Sequence, residues 1–120
     1  ALNSLGVIHQ GRKDWAQAEG CYRQALAVDP GYAEAANNLG TVLEAQRRKD
    51  EAEQAYEAAV AIRPDFSDAL NNLGNVLVGA RREAEAEAAY RRALAADPDH
   101  TGVIHNSGIL LAGQGRTAEA

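Results

Sequence analysis

The tetrapeptide Asn37-Asn38-Leu39-Gly40 returns unchanged later in the chain as Asn71-Asn72-Leu73-Gly74. Asn and Gly are poor helix formers, and a Gly in a helix interior costs about 1 kcal/mol relative to Ala. Both copies nevertheless lie within stretches whose apolar residues follow a helical spacing. A sequence that accepts this cost twice predicts that these positions serve close helix packing or a binding surface.

The two copies begin at positions 37 and 71, and the same spacing of 34 residues separates equivalent residues along the whole chain. When residues 31–64 are aligned with residues 65–98, 17 of the 34 positions are identical and no gap is needed. The residues that recur in register include four glycines, three tyrosines and three prolines: Gly6, Gly40, Gly74, Gly108, Tyr22, Tyr56, Tyr90, Pro30, Pro64 and Pro98. Such a period predicts tandem structural repeats, which bury their apolar surface by stacking on one another.

Each repeat contains two helical stretches that are joined by a short charged turn. The predicted helices cover residues 1–12, 14–27, 33–46, 49–62, 67–80, 83–96 and 101–114. Each proline follows a second helix, because the residue before proline avoids helical backbone. The pattern therefore predicts an all-α solenoid of antiparallel helix pairs.

The repeat resembles the tetratricopeptide repeat, a helix-turn-helix unit of about 34 residues. The family pattern has Leu-Gly in the first helix, Ala, an aromatic residue and Ala in the second, and a terminal Pro. The second repeat supplies Leu39, Gly40, Ala52, Tyr56, Ala59 and Pro64. The array is predicted to span residues 1–120, with partial repeats at 1–30 and 99–120, complete repeats at 31–64 and 65–98, and a total of about three and a half. We expect it to be part of a longer protein.

The recurring glycines are expected where the second helix of a pair approaches the first. The predicted partners across the pair are small residues, with Ala18, Ala52 and Ala86 facing Gly6, Gly40 and Gly74. The three tyrosines are expected to fill the space beside them. The same close approach is expected at Gly108.

The asparagines lie on another side of the first helices. In the family that the sequence resembles, first helices line an inner, concave groove, so Asn38, Asn72 and Asn106 are expected to form a row of amides there. The full set of candidate peptide-binding residues is Asn37, Asn38, Thr41, Asn71, Asn72, Asn75, His105 and Asn106. An alternative role for the asparagines is hydrogen bonding between neighbouring first helices.

A row of amides suits an extended peptide. Each carboxamide has two donors and an acceptor, which match the groups of a peptide bond. Neighbouring helices pack 8–10 Å apart and an extended chain rises about 3.3 Å per residue, so one amide would meet roughly every third peptide group. The predicted function is a scaffold that binds an extended segment, or a partner helix, in the groove.

Lys and Arg are absent from the predicted inner positions, which include Asn37, Asn38, Thr41, Glu44, Asn71, Asn72, Asn75, Val78, Asn106 and Ile109. Some tetratricopeptide domains hold acidic chaperone tails with a cationic clamp in this groove, and the sequence argues against such a clamp here. The arginines are predicted at turns or on the outer helices: Arg47, Arg48, Arg81, Arg82 and Arg116 at turns, and Arg23, Arg91 and Arg92 outside.

Several other functions are not predicted. His9, His100 and His105 are scattered and Cys21 is the lone cysteine, so no metal site, cofactor site or catalytic group is expected, and the chain is not expected to be an enzyme. The net charge of -5 gives no reason to expect nucleic acid as a partner.

No signal peptide or membrane span is visible, which predicts a cytoplasmic protein. End-to-end association of copies is also expected.

The amide row and the repeated tetrapeptide also resemble the tetratricopeptide arms of protein O-linked N-acetylglucosamine transferases. In those enzymes, asparagines along the array hold the main chain of the acceptor protein. The resemblance implies an alternative function, a substrate-recruiting arm of a larger enzyme. A nucleotide-sugar transferase domain in the parent sequence would decide between the two readings.

Overall fold

The structure, a computed structural model, describes residues 2–119, with side chains described as far as residue 113. The described residues form seven α-helices and no strand. The helices are α1 (Leu2–Gly11), α2 (Trp15–Val28), α3 (Ala33–Ala45), α4 (Lys49–Ile62), α5 (Ser67–Gly79), α6 (Glu83–Ala96) and α7 (Thr101–Glu119). The predicted all-α repeat fold is therefore confirmed.

The chain divides into two compact units, residues 1–64 and residues 65–120. In unit 1, α1 pairs with α2, α3 pairs with α4, and α2 packs against α3. In unit 2, α5 pairs with α6, and α7 packs against both. The single array over residues 1–120 remains a prediction from the period.

Helix bounds agree with the sequence pattern except at the last helix. The first six helices begin and end within one residue of the predicted positions. The prediction that the last helix ends at residue 114 is wrong, because α7 continues to Glu119. In the other pairs a packed second helix follows the turn, whereas the described residues after 113 contain no such helix. The side chain of Arg116, which was predicted at a turn, lies outside the described residues.

The turns inside the helix pairs share one backbone conformation. Lys13, Arg47 and Arg81 occupy equivalent positions in successive repeats, and all three have positive φ, at 61°, 62° and 62°. The next backbone N–H then donates to the carbonyl five residues earlier, as from Arg48 to Leu43 at 2.9 Å. This arrangement satisfies carbonyl groups at the end of the first helix and turns the chain back into the second.

The prolines end the second helices as the sequence predicts. The residues before them, Asp29, Arg63 and Asp97, have φ between -134° and -142° with ψ near 90°, outside the helical region. Each donates its N–H to a carbonyl four residues earlier, so the helix ends with this bond. Steric contact with the proline ring favours this backbone at the preceding residue.

The helix pairs are held together by contact between glycine and tyrosine. A Cβ atom added to Gly6 would lie 2.5 Å from Cε1 of Tyr22. Gly40 and Gly74 meet the rings of Tyr56 and Tyr90 in the same way. All three rings are fully buried. The glycines thus allow an aromatic ring to lie directly on the backbone of the first helix.

This contact refines one expectation and corrects another. The atoms nearest to the three glycines belong to the tyrosine rings, which were expected beside the facing alanines. Those alanines are fully buried. The predicted close approach at Gly108 is wrong for the described residues, since a Cβ there would meet nothing within 4 Å.

Candidate functional site

The predicted binding residues lie on the first helices of the repeats. We call the surface that these residues form within each unit the inner face of that unit. In unit 1 its residues are Asn3, Asn37, Asn38 and Thr41, and in unit 2 they are Asn71, Asn72, Asn75, His105 and Asn106. Asn3 lies at the position that is equivalent to Asn37 and Asn71 in the repeat.

Pairs of asparagines join neighbouring first helices within each unit. In unit 1 the amide nitrogen Nδ2 of Asn38 donates to Oδ1 of Asn3, at 3.1 Å, which links α3 to α1. In unit 2, Nδ2 of Asn106 donates to Oδ1 of Asn71, at 3.0 Å, and links α7 to α5. Because the two pairs use equivalent positions, the hydrogen bond is a regular part of the repeat.

The amide pairs leave hydrogen-bonding capacity unused. A carboxamide has two N–H donors and an oxygen with two lone pairs, and each pair consumes one donor and one lone pair. All four asparagines are half-buried, so their polar groups remain partly accessible to solvent. The asparagines therefore connect helices and still present donors and acceptors.

The remaining predicted binding residues differ in how much of their polar surface is occupied. Thr41 donates its hydroxyl to the carbonyl of Asn37 at 3.2 Å, so its donor is consumed within α3. Asn75 is exposed, and its Oδ1 accepts from the hydroxyl of Tyr90 at 2.6 Å. His105 is exposed on α7, while Asn37 and Asn72 are half-buried.

The tyrosine hydroxyls extend from the buried rings to residues of the first helices. Tyr22 donates to Gln10 at 2.7 Å, and Tyr56 donates to Glu44 and lies 3.4 Å from the Thr41 hydroxyl. Burial raises the pKa of Tyr22 to about 12. Burial, and then the hydrogen bond to Glu44, raise the pKa of Tyr56, and burial raises that of Tyr90. These hydroxyls are therefore neutral donors at physiological pH.

The inner face of unit 2 contains a depression of about 150 Å³. Its lining combines two amides, one phenol and three aliphatic side chains: Asn75, Val78, Tyr90, Asn106, Ile109 and Leu110. Four of these are positions that the sequence placed on the inner side, namely Asn75, Val78, Asn106 and Ile109. Tyr90 and Leu110 were not predicted there.

The groups that bind the tyrosine hydroxyls were not predicted from the sequence. Gln10 and Glu44 occupy equivalent positions in successive repeats, and Val78 has that position in the next repeat. Gln10 and Glu44 recur at the same spacing as the tyrosines, and this polar recurrence could have identified them as hydrogen-bond partners. Where Val78 replaces them, Tyr90 binds Asn75 instead.

A separate polar cluster joins α2 to the turn after α3. The Glu19 carboxylate accepts from Gln46 at 3.0 Å, from Arg48 at 2.7 Å and from Arg23 at 2.9 Å. Arg48 also binds Glu51. Burial alone would raise the pKa of Glu19, but the three hydrogen bonds outweigh it and hold the pKa below its usual value of 4.5. The cluster stabilises the packing of the second repeat on the first.

The described side chains do not gather into a metal site, since no group of three or more His, Cys, Asp or Glu could hold an ion. His100 instead has local contacts: Nε2 lies 2.7 Å from Asp68, and Nδ1 accepts from the N–H of Val103 at 3.3 Å. His100 thus caps the start of α7 and links it to α5.

None of the helices in the described part of the chain has an apolar stretch that could cross a lipid bilayer.

The helix pairs, the repeated glycine-tyrosine contact and the asparagine pairs between first helices define an α-helical repeat protein. The sequence profile described as the tetratricopeptide repeat matches residues 4–65 and 50–101. The chain therefore belongs to the tetratricopeptide repeat family. No curated protein sequence matches it significantly.

Solved structures agree with this assignment at the level of the fold. The Sgt2 tetratricopeptide domain from Aspergillus fumigatus has a TM-score of 0.92 at 21% identity, over 99% of this chain and 80% of that one. The first such domain of Spaghetti (RPAP3), bound to an HSP90 peptide, gives 0.89 at 18%, over 95% and 90%. The second domain of human RPAP3, in complex with an HSP70 peptide, gives 0.84 at 17%, over 91% of each chain.

Proposed function

We propose that the chain is a protein-interaction scaffold whose inner face binds an extended peptide segment of a partner protein. The observation that carries the proposal is the amide pair. The Asn3–Asn38 and Asn71–Asn106 bonds fix the asparagines in place while leaving donors and acceptors for a ligand. Groups held in position lose less conformational entropy on binding.

The bound groups would be the peptide main chain. An amide that both donates and accepts complements a peptide unit, and it does so whatever the side chain of the ligand. Each such hydrogen bond contributes about 1 kcal/mol net, so a few of them add roughly 3–4 kcal/mol to the binding free energy, and the affinity is expected to be modest. Asn37, Asn72, Thr41 and His105 belong to the same proposed surface.

Two structural neighbours support a peptide as the class of ligand. The RPAP3 domains are bound to peptides of HSP90 and HSP70, SRMEEVD and SGPTIEEVD, which end in acidic residues. The predicted inner positions of the present chain lack Lys and Arg, so we propose a different preference. An internal segment bound through its main chain suits these neutral amides better than an acidic tail does.

The alternative function remains a substrate-recruiting arm of a larger enzyme, such as a protein O-linked glycosyltransferase. The proposed contacts are the same in both cases, because an acceptor protein would also be held through its main chain. A nucleotide-sugar transferase domain encoded in the same gene would favour the arm.

We also propose that copies of the chain associate and that the protein is cytoplasmic. Exposed apolar residues on the first and last helices support association: Leu5 is 44% exposed, Ile8 is 51% exposed and Leu111 is 52% exposed. Light scattering over a range of concentrations tests this part, because mass should rise with concentration. A constant monomer mass would contradict it.

A displayed library of random 12-residue peptides provides the test of binding. We expect wild type to select peptides, and the Asn38→Ala/Asn106→Ala variant to bind them about tenfold more weakly at unchanged helicity. Gln24→Ala is the matched control, since it removes an exposed amide from a second helix, α2. Equal affinity for all three proteins would contradict the proposed role of the amides.

A further inference from the structure

The depression of unit 2 combines polar and apolar groups in a way that defines its ligand. We propose that it is a subsite for one branched aliphatic residue of the bound peptide. The side chain would contact Val78, Ile109 and Leu110, and the flanking main-chain carbonyl and N–H would bind Asn75 and Asn106. This inference rests on the proposed function, since it concerns the same inner face.

Internal hydrogen bonds fix the orientation of the two amides. Oδ1 of Asn75 accepts from the Tyr90 hydroxyl at 2.6 Å, which leaves the amide N–H groups as donors. Nδ2 of Asn106 donates to Asn71 at 3.0 Å, which leaves Oδ1 as an acceptor. Both residues line the depression. One side therefore offers a donor for a peptide carbonyl, and the other offers an acceptor for a peptide N–H.

The apolar part of the lining is exposed to solvent without a ligand. Ile109 is 60% exposed and Val78 is 37% exposed. Covering such surface is favourable in proportion to its area. An apolar cavity of about 150 Å³ holds a benzene-sized molecule, and a leucine side chain is smaller than that. The volume of about 150 Å³ thus suits a single aliphatic side chain.

The uncharged lining of the depression disfavours charged side chains as occupants. All six lining residues are uncharged, so an acidic or basic side chain would lose hydration without gaining a partner. The equivalent positions of α1 and α3 in unit 1 differ, because Val7 occupies the place of Asn75, Gln10 that of Val78, and Thr41 that of Ile109. The preference for an aliphatic residue is therefore specific to unit 2.

The smallest probe of this subsite is N-acetyl-leucine N′-methylamide, which carries one side chain between two peptide groups. We expect its titration to shift the NMR signals of the Asn75 and Asn106 side-chain amides in a saturable way. The alanine analogue should bind about tenfold more weakly, because it buries fewer carbon atoms. Equal binding of the two probes, or shifts that spare both amides, would overturn the subsite.

Variants test the same claim on the intact chain. Ile109→Ala should weaken binding of the leucine probe severalfold, and Val78→Glu, which introduces the residue of the preceding repeat, at least tenfold. Ile104→Ala is the matched control, since Ile104 is 51% exposed on the same helix and does not line the depression. An effect of Ile104→Ala equal to that of Ile109→Ala would overturn the assignment.

The selected 12-residue peptides separate this inference from the proposed function. If their binding depends on Asn38 and is unchanged by Ile109→Ala and Val78→Glu, the scaffold proposal stands and the subsite is wrong. If the library selects no peptide while the leucine probe binds at Asn75 and Asn106, the subsite stands and the scaffold proposal is wrong.

Discussion

The helix pair α3–α4 and the helix pair α5–α6 share one packing contact and differ in the polar group above it. In both, a glycine of the first helix lies against a buried tyrosine ring, Gly40 against Tyr56 and Gly74 against Tyr90. The Tyr56 hydroxyl binds Glu44, whereas the Tyr90 hydroxyl binds Asn75. Val78, in the place of Glu44, has no group to accept that bond.

The difference separates residues that build the repeat from residues that give each unit its surface. Close packing of a ring on a helix backbone tolerates only glycine, so that position cannot vary. The hydroxyl requires any nearby acceptor, and several residue types supply one. The inner face can therefore change from Glu44 to Val78 without altering the fold, and we propose that this change alters the ligand preference.

The largest expected effect comes from breaking the shared contact. Gly74→Leu should destabilise the fold by about 3 kcal/mol or more, because its side chain would overlap the Tyr90 ring. Gly20→Leu is the control, since a Cβ at Gly20, in the interior of α2, meets nothing within 4 Å. Chemical denaturation of both variants measures the difference. Equal stabilities would show that the glycine-tyrosine contact does not hold the pairs.

A smaller effect should distinguish the two hydroxyls. Asn75→Ala leaves the Tyr90 hydroxyl without its acceptor and should cost about 1–2 kcal/mol. Thr41→Ala should cost less, because Tyr56 keeps its bond to Glu44. Urea unfolding checks the order. Adding Tyr90→Phe to Asn75→Ala should recover part of the loss, and a reversed order would contradict the assigned partners.

Equivalent carboxylates on α2 and α6 differ in the residues that they bind. Glu19 binds residues of the next repeat, whereas Glu87 binds Arg91 on its own helix. Because the pKa of Glu19 is lowered in the folded state, its ionised form stabilises the fold above about pH 4.5. That contribution is lost as the pH falls through the lowered pKa.

Replacing the Glu19 carboxylate should therefore make the free energy of unfolding less dependent on pH at acidic pH. Glu19→Gln should reduce the loss of stability below about pH 4.5, and Glu87→Gln provides the variant of the equivalent position for comparison. Thermal melts from pH 3 to pH 7, spanning this range, provide the measurement. A pH dependence at acidic pH that is unchanged by Glu19→Gln would contradict the role of the cluster.

The smallest expected effect is one that both pairs should share. Arg47 and Arg81 have φ of 62°, where a non-glycine residue is strained. Arg47→Gly and Arg81→Gly should each stabilise the protein by about 0.5 kcal/mol, since relief of strain exceeds the added freedom of the unfolded chain. Thermal melts of the two variants beside wild type measure both changes. A gain at one turn and a loss at the other would show that the two turns are not equivalent.

Most of the fold could be predicted because the repeat supplies several copies of each signal. A single Gly40 within a helix is ambiguous, but its recurrence at Gly74 marks a packing position. The tyrosine ring, which was expected beside the facing alanine, is the nearest group to that glycine. Periodicity reveals which residues face the neighbouring helix, and it does not reveal how far each side chain reaches across the gap.

The asparagines were predicted on the first helices, where the structure places them, but their hydrogen bonds were predicted only in part. The period of the asparagines placed them on the first helices, yet the pairing of Asn3 with Asn38 depends on the offset between neighbouring helices. That offset comes from packing and is not encoded in the period of the repeat. The same limit applies to the contact between Tyr90 and Asn75.

The most direct test is a crystal structure of the chain with one of the selected 12-residue peptides. We predict an extended peptide on the inner face, with its main-chain groups hydrogen-bonded to the side chains of Asn38 or Asn106. A peptide bound to the second helices, or one that leaves every inner asparagine bonded only to other asparagines, would contradict it.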